Sequence, residues 1–296
     1  MMKKNLCLLL SLLLLLPVLS VAETIVTSFY PVWILTLNLT EGIDGIDVIN
    51  LAEPSTGCLH DYTLQNSDMI VLSKADALLV NGAGMESFLP VITGAYPDLP
   101  VIDATAGLPF LGESEIVEIG EPEEGETVNS HLWLDPQRAA GMAANLADGL
   151  IRLMPGRELQ ISENLKQYRD RLLALDETFR EELGKPQRKV IVFHEAFPYF
   201  AEACGLQVAA VVNKEPEDTL PTAQLVRVAE LIRSEEEQPL ILKSPEEDPA
   251  VNTLVYETGI PVCELDPMTS GPENPPLDYY ESVMILNLKT LRDALR

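Results

Sequence analysis

Short β-rich runs alternate with helix-periodic stretches twice along this chain, and a helical region without strand signals separates the two series. The first series places strand candidates at 24–29, 46–51, 76–81 and 100–105, with helical patterns at 31–41, 64–75 and 85–95. The second places strands at 189–193, 207–212, 239–243 and 261–265, and helices at 195–204, 222–235, 248–258 and 279–295. Strands joined through helices run the same way, so each series implies a parallel sheet flanked by helices. Between them, 137–153 reads as one helix ended by Pro155-Gly156, and 158–183 as another. In the latter Leu165, Tyr168, Leu172, Leu175, Phe179 and Leu183 fall at spacings of three and four, one apolar stripe of a helix. Such a helix is roughly 39 Å long, enough to cross between two domains. A continuous helix resists bending more than a loop does, so limited hinge motion is expected. The fold class expected is therefore α/β: two parallel-sheet α/β lobes joined by a long rigid helix. The expected limits are 23–155 for the N-terminal lobe, 156–186 for the bridging helix and 187–296 for the C-terminal lobe.

Residues 1–22 read as a signal peptide rather than as part of the fold. Lys3 and Lys4 precede an apolar run from Leu6 to Leu19, and Ser20-Val21-Ala22 supplies small residues for cleavage before Glu23. The run is short for a membrane span. No cysteine sits at the cleavage point to carry a lipid. The expectation is export across the membrane, to the periplasm or the outer cell surface.

The chain is acidic, with 46 Asp and Glu against 20 Lys and Arg and a formal charge of −26. That balance excludes nucleic acid as a partner and disfavours anionic membrane surfaces, while leaving cationic ligands compatible. Much of the charge needs no explanation beyond solubility. Residues 112–130 concentrate it, with seven glutamates and no Lys, Arg or His, and read as a mobile surface loop. Beyond the leader the cysteines are Cys58, Cys204 and Cys263, an odd number without a CxxC pair.

Three histidines occur in the 296 residues, and each lies where an apolar run meets a turn-like segment. His60 follows the strand at 46–51 after Pro54-Ser55-Thr56-Gly57. His131 opens His131-Leu132-Trp133-Leu134-Asp135-Pro136. His194 ends Val190-Ile191-Val192-Phe193, and Asp266 follows the strand at 261–265. In doubly wound α/β domains ligands bind beyond the carboxyl ends of the strands. All four side chains fall at that edge, two from each half. Three imidazoles and one carboxylate make a tetrahedral set for Zn2+. A lone histidine is more often structural, and an Asp before Pro often just starts a turn. The joint placement is what favours a site.

The chain also resembles the zinc- and manganese-specific solute-binding proteins of ABC metal transporters. The resemblance runs from about residue 24 to the C-terminus. It rests on His60-Asp61-Tyr62 after a glycine-containing turn, HLWLDP at 131–136, FHEAFPYFAEACGL at 193–206 and ETGIPVCELDPM at 257–268. It implies two α/β lobes joined by a long helix, one metal held between the lobes, and delivery to a membrane ABC permease. It carries the metal ligands over to His60, His131, His194 and Asp266. The chain departs from the family pattern at Leu59, where proline is common, and in the acidic segment before His131, where zinc members often carry histidines. Cys58 adds a thiolate that competes as a ligand.

Imidazole suits zinc, and manganese favours oxygen donors. His194 stands where manganese-specific members carry Glu, so Zn2+ is the expected cargo, although the same set also holds Mn2+. The expected protein is a monomer and not an enzyme. A manganese-binding homologue is one alternative. A secreted zinc hydrolase is another, weakened because Pro198 rules out HExxH and no GxSxG or Walker A motif is present. An adhesin with a structural metal is a third.

Overall fold

The computed structural model describes residues 22–59, 62–111, 117–119, 128–183, 188–193, 195–212 and 220–296. Residues 1–21 of the expected leader, most of the acidic segment, residues 184–187 of the expected bridging helix, and His60, Asp61 and His194 lie outside them. The architecture is two parallel α/β lobes with helices between them, the class expected from the alternation.

The first sheet contains β1 (Glu23–Thr27), β2 (Ile46–Asn50), β3 (Ala77–Val80) and β4 (Val101–Asp103), in the order β2-β1-β3-β4. Every pairing in it is parallel. Its crossovers carry α1 (Tyr30–Thr40), α2 (Asn66–Leu72) and α3 (Leu89–Ala95). The second sheet contains β5 (Val117–Ile119), β6 (Lys189–Phe193), β7 (Gln207–Val212), β8 (Leu240–Lys243) and β9 (Val262–Glu264), in the order β5-β7-β6-β8-β9 and again parallel. Its helices are α6 (Pro198–Ala203), α7 (Thr222–Ser234), α8 (Pro249–Thr258) and α9 (Tyr279–Ala294). The inner strands β3 and β8 are buried along their whole length. That is why they read as unbroken apolar runs, as strands covered on both faces do.

Between the sheets lie α4 (Pro136–Leu153) and α5 (Glu158–Leu183). Asp135 caps α4 by accepting from the backbone N–H of Gln137 at 2.7 Å, and Pro136 follows at the first helical position. Asp248-Pro249 starts α8 by the same device, with Gly259 in the left-handed conformation at its end. Gly149 lets α4 lie directly on β4, because a Cβ there would stand 2.4 Å from Ile102. The stripe on α5 buries Tyr168, Leu172, Leu175 and Phe179, with Leu165 and Leu183 partly buried at its margins. The helix touches both lobes. Asn164 Nδ2 donates to the carbonyls of Leu39 and Glu41 at the end of α1, and Phe179 meets Phe200 of α6 edge-on at 5.5 Å. One apolar core runs from Ile25 and Leu79 through α4 and α5 to Val190, Leu242 and Leu288. Hinge opening would expose part of that core to water, which disfavours wide motion.

Several expectations change. The acidic segment is not wholly a loop, because Val117–Ile119 adds a strand to the edge of the second sheet, pairing with Ala210–Val212, and Ile119 is buried. This strand lies inside the stretch expected to belong to the first lobe. The expected helix at 85–95 starts only at Leu89, because Met85–Phe88 form turns around a buried carboxylate. The expected helices at 64–75 and 195–204 shorten to Asn66–Leu72 and Pro198–Ala203. Gln65 and Asp68 form a capping box that sets the first start, and Pro198 at the first turn sets the second.

Candidate metal centre

In each lobe the chain winds outward from one strand in both directions. The topological switch falls between β1 and β3 in the first sheet and between β6 and β8 in the second. Crevices at such points are where α/β sheets bind ligands. In the first lobe the crevice is filled by the chain itself. Glu86 is buried there, its carboxylate accepting from Ser28 Oγ at 2.7 Å, from Asn81 N–H at 2.7 Å and from Gly82 N–H at 3.0 Å. Gly82 turns at φ +84°, and a Cβ there would strike the Asp103 carboxylate. Asn81 Nδ2 donates to the Ser130 carbonyl at 2.9 Å. The plugged crevice thus supports the segment that carries His131.

Burial raises the Glu86 carboxyl to about 7; the three hydrogen bonds oppose the rise and the Asp103 charge adds to it. A carboxyl raised in the folded state favours folding most below its unfolded pKa of about 4.5, and that contribution is lost as pH climbs through about 7. The stability of wild type relative to Glu86→Gln, which cannot titrate, is therefore expected to fall by about 2–3 kcal/mol between about pH 5 and about pH 8. Urea unfolding of both proteins across that range measures it. A difference that stays constant with pH would show that Glu86 is ionised throughout.

His131 is fully buried at the start of a 3-10 turn, Leu132–Leu134. Its backbone N–H donates to Asn129 Oδ1 at 3.0 Å, and its Nδ1 lies 3.2 Å from the same oxygen. Its Nε2 lies 3.7 Å from Cys58 Sγ. The ring rests on Trp133, centroids 5.0 Å apart. Trp133 is fully buried, meets Phe29 edge-on at 5.3 Å, and donates its Nε1–H to the Pro267 carbonyl at 2.9 Å. Tyr280 Oη donates to the Trp133 carbonyl at 2.6 Å.

Asp266 lies just beyond the carboxyl end of β9. Asn287 on α9 clamps its backbone, accepting from the Asp266 N–H at 2.9 Å and donating to its carbonyl at 2.8 Å. Its Oδ1 accepts from Met268 N–H at 2.7 Å, and Met268 takes φ +57°, so the loop is tightly turned. Burial pushes the Asp266 carboxyl up; the Met268 N–H opposes the shift and the Glu246 charge reinforces it. Downstream, Gly271 N–H donates to the Pro54 carbonyl at 3.0 Å and Tyr30 Oη to the Pro272 carbonyl at 3.0 Å. The first bond ties the second-lobe loop to the first-lobe segment that leads to residue 60, and the second ties it to the start of α1.

Of the four expected ligands, His131 and Asp266 are described, in loops joined through Trp133. His60 and His194 lie outside the described residues. Among the described residues no group of three or more His, Cys, Asp or Glu side chains stands together as a metal set. The flanking chain is informative nonetheless. The segment 129–133 meets Cys58 through His131, the Glu195 carbonyl through Asn129 Nδ2 at 2.6 Å, and Pro267 through Trp133. Cys204 and Cys263 are buried thiols, their pKa values pushed up by burial, and take no part here. Sequence reasoning gave no role to Asn129, Trp133, Glu86 or Asn287. The nearest signal was the presence of Trp133 inside the HLWLDP motif.

Comparison with known proteins places the fold. The family described as zinc-uptake complex component A, periplasmic (ZnuA), matches residues 25–294. The zinc-binding lipoprotein AdcA of Streptococcus pneumoniae is 28% identical over 281 residues, covering 91% of this chain and 55% of the relative, so the chain spans about half of AdcA. The manganese ABC transporter substrate-binding lipoprotein PsaA of Streptococcus anginosus is 27% identical over 251 residues, covering 80% of this chain and 78% of the relative. The structure of FpvC from Pseudomonas aeruginosa in complex with Mn2+ superposes with a TM-score of 0.79 at 23% identity, over 93% of this chain and 98% of that one, and shares the fold. From the match across nearly its whole length, this chain belongs to the ZnuA family of zinc-uptake complex components.

Proposed function

We propose that this protein captures Zn2+ between its lobes outside the cytoplasm and delivers it to the membrane permease of an ABC transporter. One observation carries the reading. The segment 129–133 touches the chain two residues before His60, one residue after His194 and one residue after Asp266. A single buried imidazole loop thus gathers the ends of both sheets. The proposed ligands are His60, His131, His194 and Asp266, and three imidazoles with one carboxylate suit tetrahedral zinc. Relatives named for zinc and for manganese both support a transition-metal cargo, and the imidazole-rich set favours zinc.

The proposed lobes are 23–155 and 187–296, bridged by 156–186, with the strand at 117–119 lent to the second sheet. Residues 1–22 serve as the export signal. The exported protein acts as a monomer, without nucleic acid and without catalysis. A shell closed by Asp266 leaves no metal-bound water to activate, which is what a hydrolase would need. Among the described residues no helix is long and apolar enough to cross a membrane.

Protein purified without chelators, stripped and titrated in a calorimeter is expected to bind one Zn2+ per chain, more tightly than Mn2+. Tighter binding of Mn2+ would assign the protein to manganese, and binding of neither would refute the reading. Asp266→Ala is expected to keep zinc bound but release it faster in stopped-flow chelation. Release no faster than wild type would remove Asp266 from the shell. Cys58 would then be the candidate, because 3.7 Å from its Sγ to His131 Nε2 is close to the edge, about 3.6 Å, of a tetrahedral zinc holding one sulfur and one nitrogen.

A further inference from the structure

Asn129 makes four hydrogen bonds, of which the metal-binding reading uses only the one to Glu195. Its Nδ2 donates to the Glu195 carbonyl at 2.6 Å. Its Oδ1 accepts from the His131 backbone N–H at 3.0 Å and faces His131 Nδ1 at 3.2 Å. Its own carbonyl accepts from Tyr199 Oη at 2.9 Å. These partners settle which end of the amide is which. A carbonyl only accepts, so the NH2 end faces Glu195, and a backbone N–H only donates, so the oxygen end faces His131. The amide oxygen cannot donate to the ring. The bond at 3.2 Å therefore requires the proton on Nδ1, which leaves the Nε2 lone pair of a neutral ring directed away from Asn129, on the side where Cys58 lies.

We propose that Asn129 is a positioning residue that fixes His131 in the Nδ1–H tautomer and, through the same amide group, ties that ring to the second-lobe loop following residue 194. A planar amide has one oxygen and one nitrogen at fixed separation. Shifting the 195–197 loop away from Asn129 therefore costs either the Glu195 bond or the bond that holds the ring. The Tyr199 bond anchors the Asn129 backbone from α6, so the side chain acts from a fixed base. Outer partners of this kind orient ligating imidazoles and tune the metal they hold. This one spans two lobes, so it links the readiness of a first-lobe donor to the position of the second lobe. The link to zinc rests on the metal-binding reading above; the tautomer does not.

The test uses the metal-free, 15N-labelled full-length protein at a pH where imidazole is neutral. Long-range 1H–15N correlation reports the tautomer of each of the three histidines, and His131→Gln identifies the His131 signal. Wild type is expected to show His131 protonated on Nδ1. Asn129→Leu, of similar volume but without an acceptor, is expected to lose that tautomer, and after zinc loading to bind at least tenfold more weakly. Asn129→Asp keeps an acceptor for the ring but cannot donate to Glu195. It is expected to retain the Nδ1–H signature and yet release zinc at least threefold faster than wild type. A His131 tautomer unchanged in Asn129→Leu would overturn the positioning role, and zinc release from Asn129→Asp at the wild-type rate would overturn the coupling. If Asn129→Leu does not fold, loss of the Nδ1–H signature in the folded Asp variant overturns the proposal by itself. Should wild type bind no zinc, the transport reading fails, while the tautomer comparison still decides the role of Asn129.

Discussion

Alanine at His60, His131 or His194 is expected to weaken zinc binding at least tenfold in each single variant, about 1.4 kcal/mol apiece. His131 should show the largest loss. Its ring is fully buried and held by Asn129 on one edge and against Trp133, so its nitrogen is firmly positioned. Truncation there also empties space beside Trp133, and a reduced melting temperature in the metal-free protein will accompany the lost affinity. Calorimetric titration of the three stripped variants measures the effect. Normal binding by two of the three would dismantle the ligand set.

Trp133→Ala is expected to cost about 3–5 kcal/mol of stability, the range for emptying a large aromatic site in a core. The indole is fully buried and packed against Phe29, and its N–H satisfies the Pro267 carbonyl. Loss of that bond also unties the loop carrying Asp266 from the loop carrying His131. Trp133→Phe separates the two effects: it keeps most of the bulk but forfeits the N–H, at about 1–2 kcal/mol. Urea unfolding of both variants checks the ranking. A loss below about 1 kcal/mol for the alanine variant would mean that the indole is not the joint between the lobes.

The long-range roles explain what the chain did and did not disclose in one dimension. The bridging helix was legible at its start, where Pro155-Gly156 marks the break before it, and along its local stripe from Leu165 to Leu183. The inner strands were legible because burial on both faces leaves unbroken apolar runs such as Leu240-Ile241-Leu242. The strand at 117–119 was hidden. Three residues among glutamates carry no periodic signal, and their pairing partner on β7 lies about ninety residues away. The turns at 85–88 read as helix because nothing local announces that Glu86 will be drawn back onto the backbone N–H groups of Asn81 and Gly82.

The same distinction holds at the candidate centre. The position of Asp266 beyond a strand end follows from local pattern, and so does that of His131 at the head of its turn. The groups that orient them do not. Asn129 acts on Glu195 and Trp133 on Pro267, across 66 and 134 residues of chain. An asparagine two places before a histidine is unremarkable until the fold brings a second-lobe carbonyl to its other side.

Both lobes are proposed to grip one metal ion at the segment 129–133. Anomalous scattering at the zinc edge from crystals of the zinc-loaded protein tests it most directly. A single zinc peak is expected about 2.0–2.1 Å from His131 Nε2, with the remaining donors drawn from residue 60 in the first lobe and from residues 194 and 266 in the second. A zinc peak held by the acidic segment at 113–126, or by donors from one lobe alone, would contradict it.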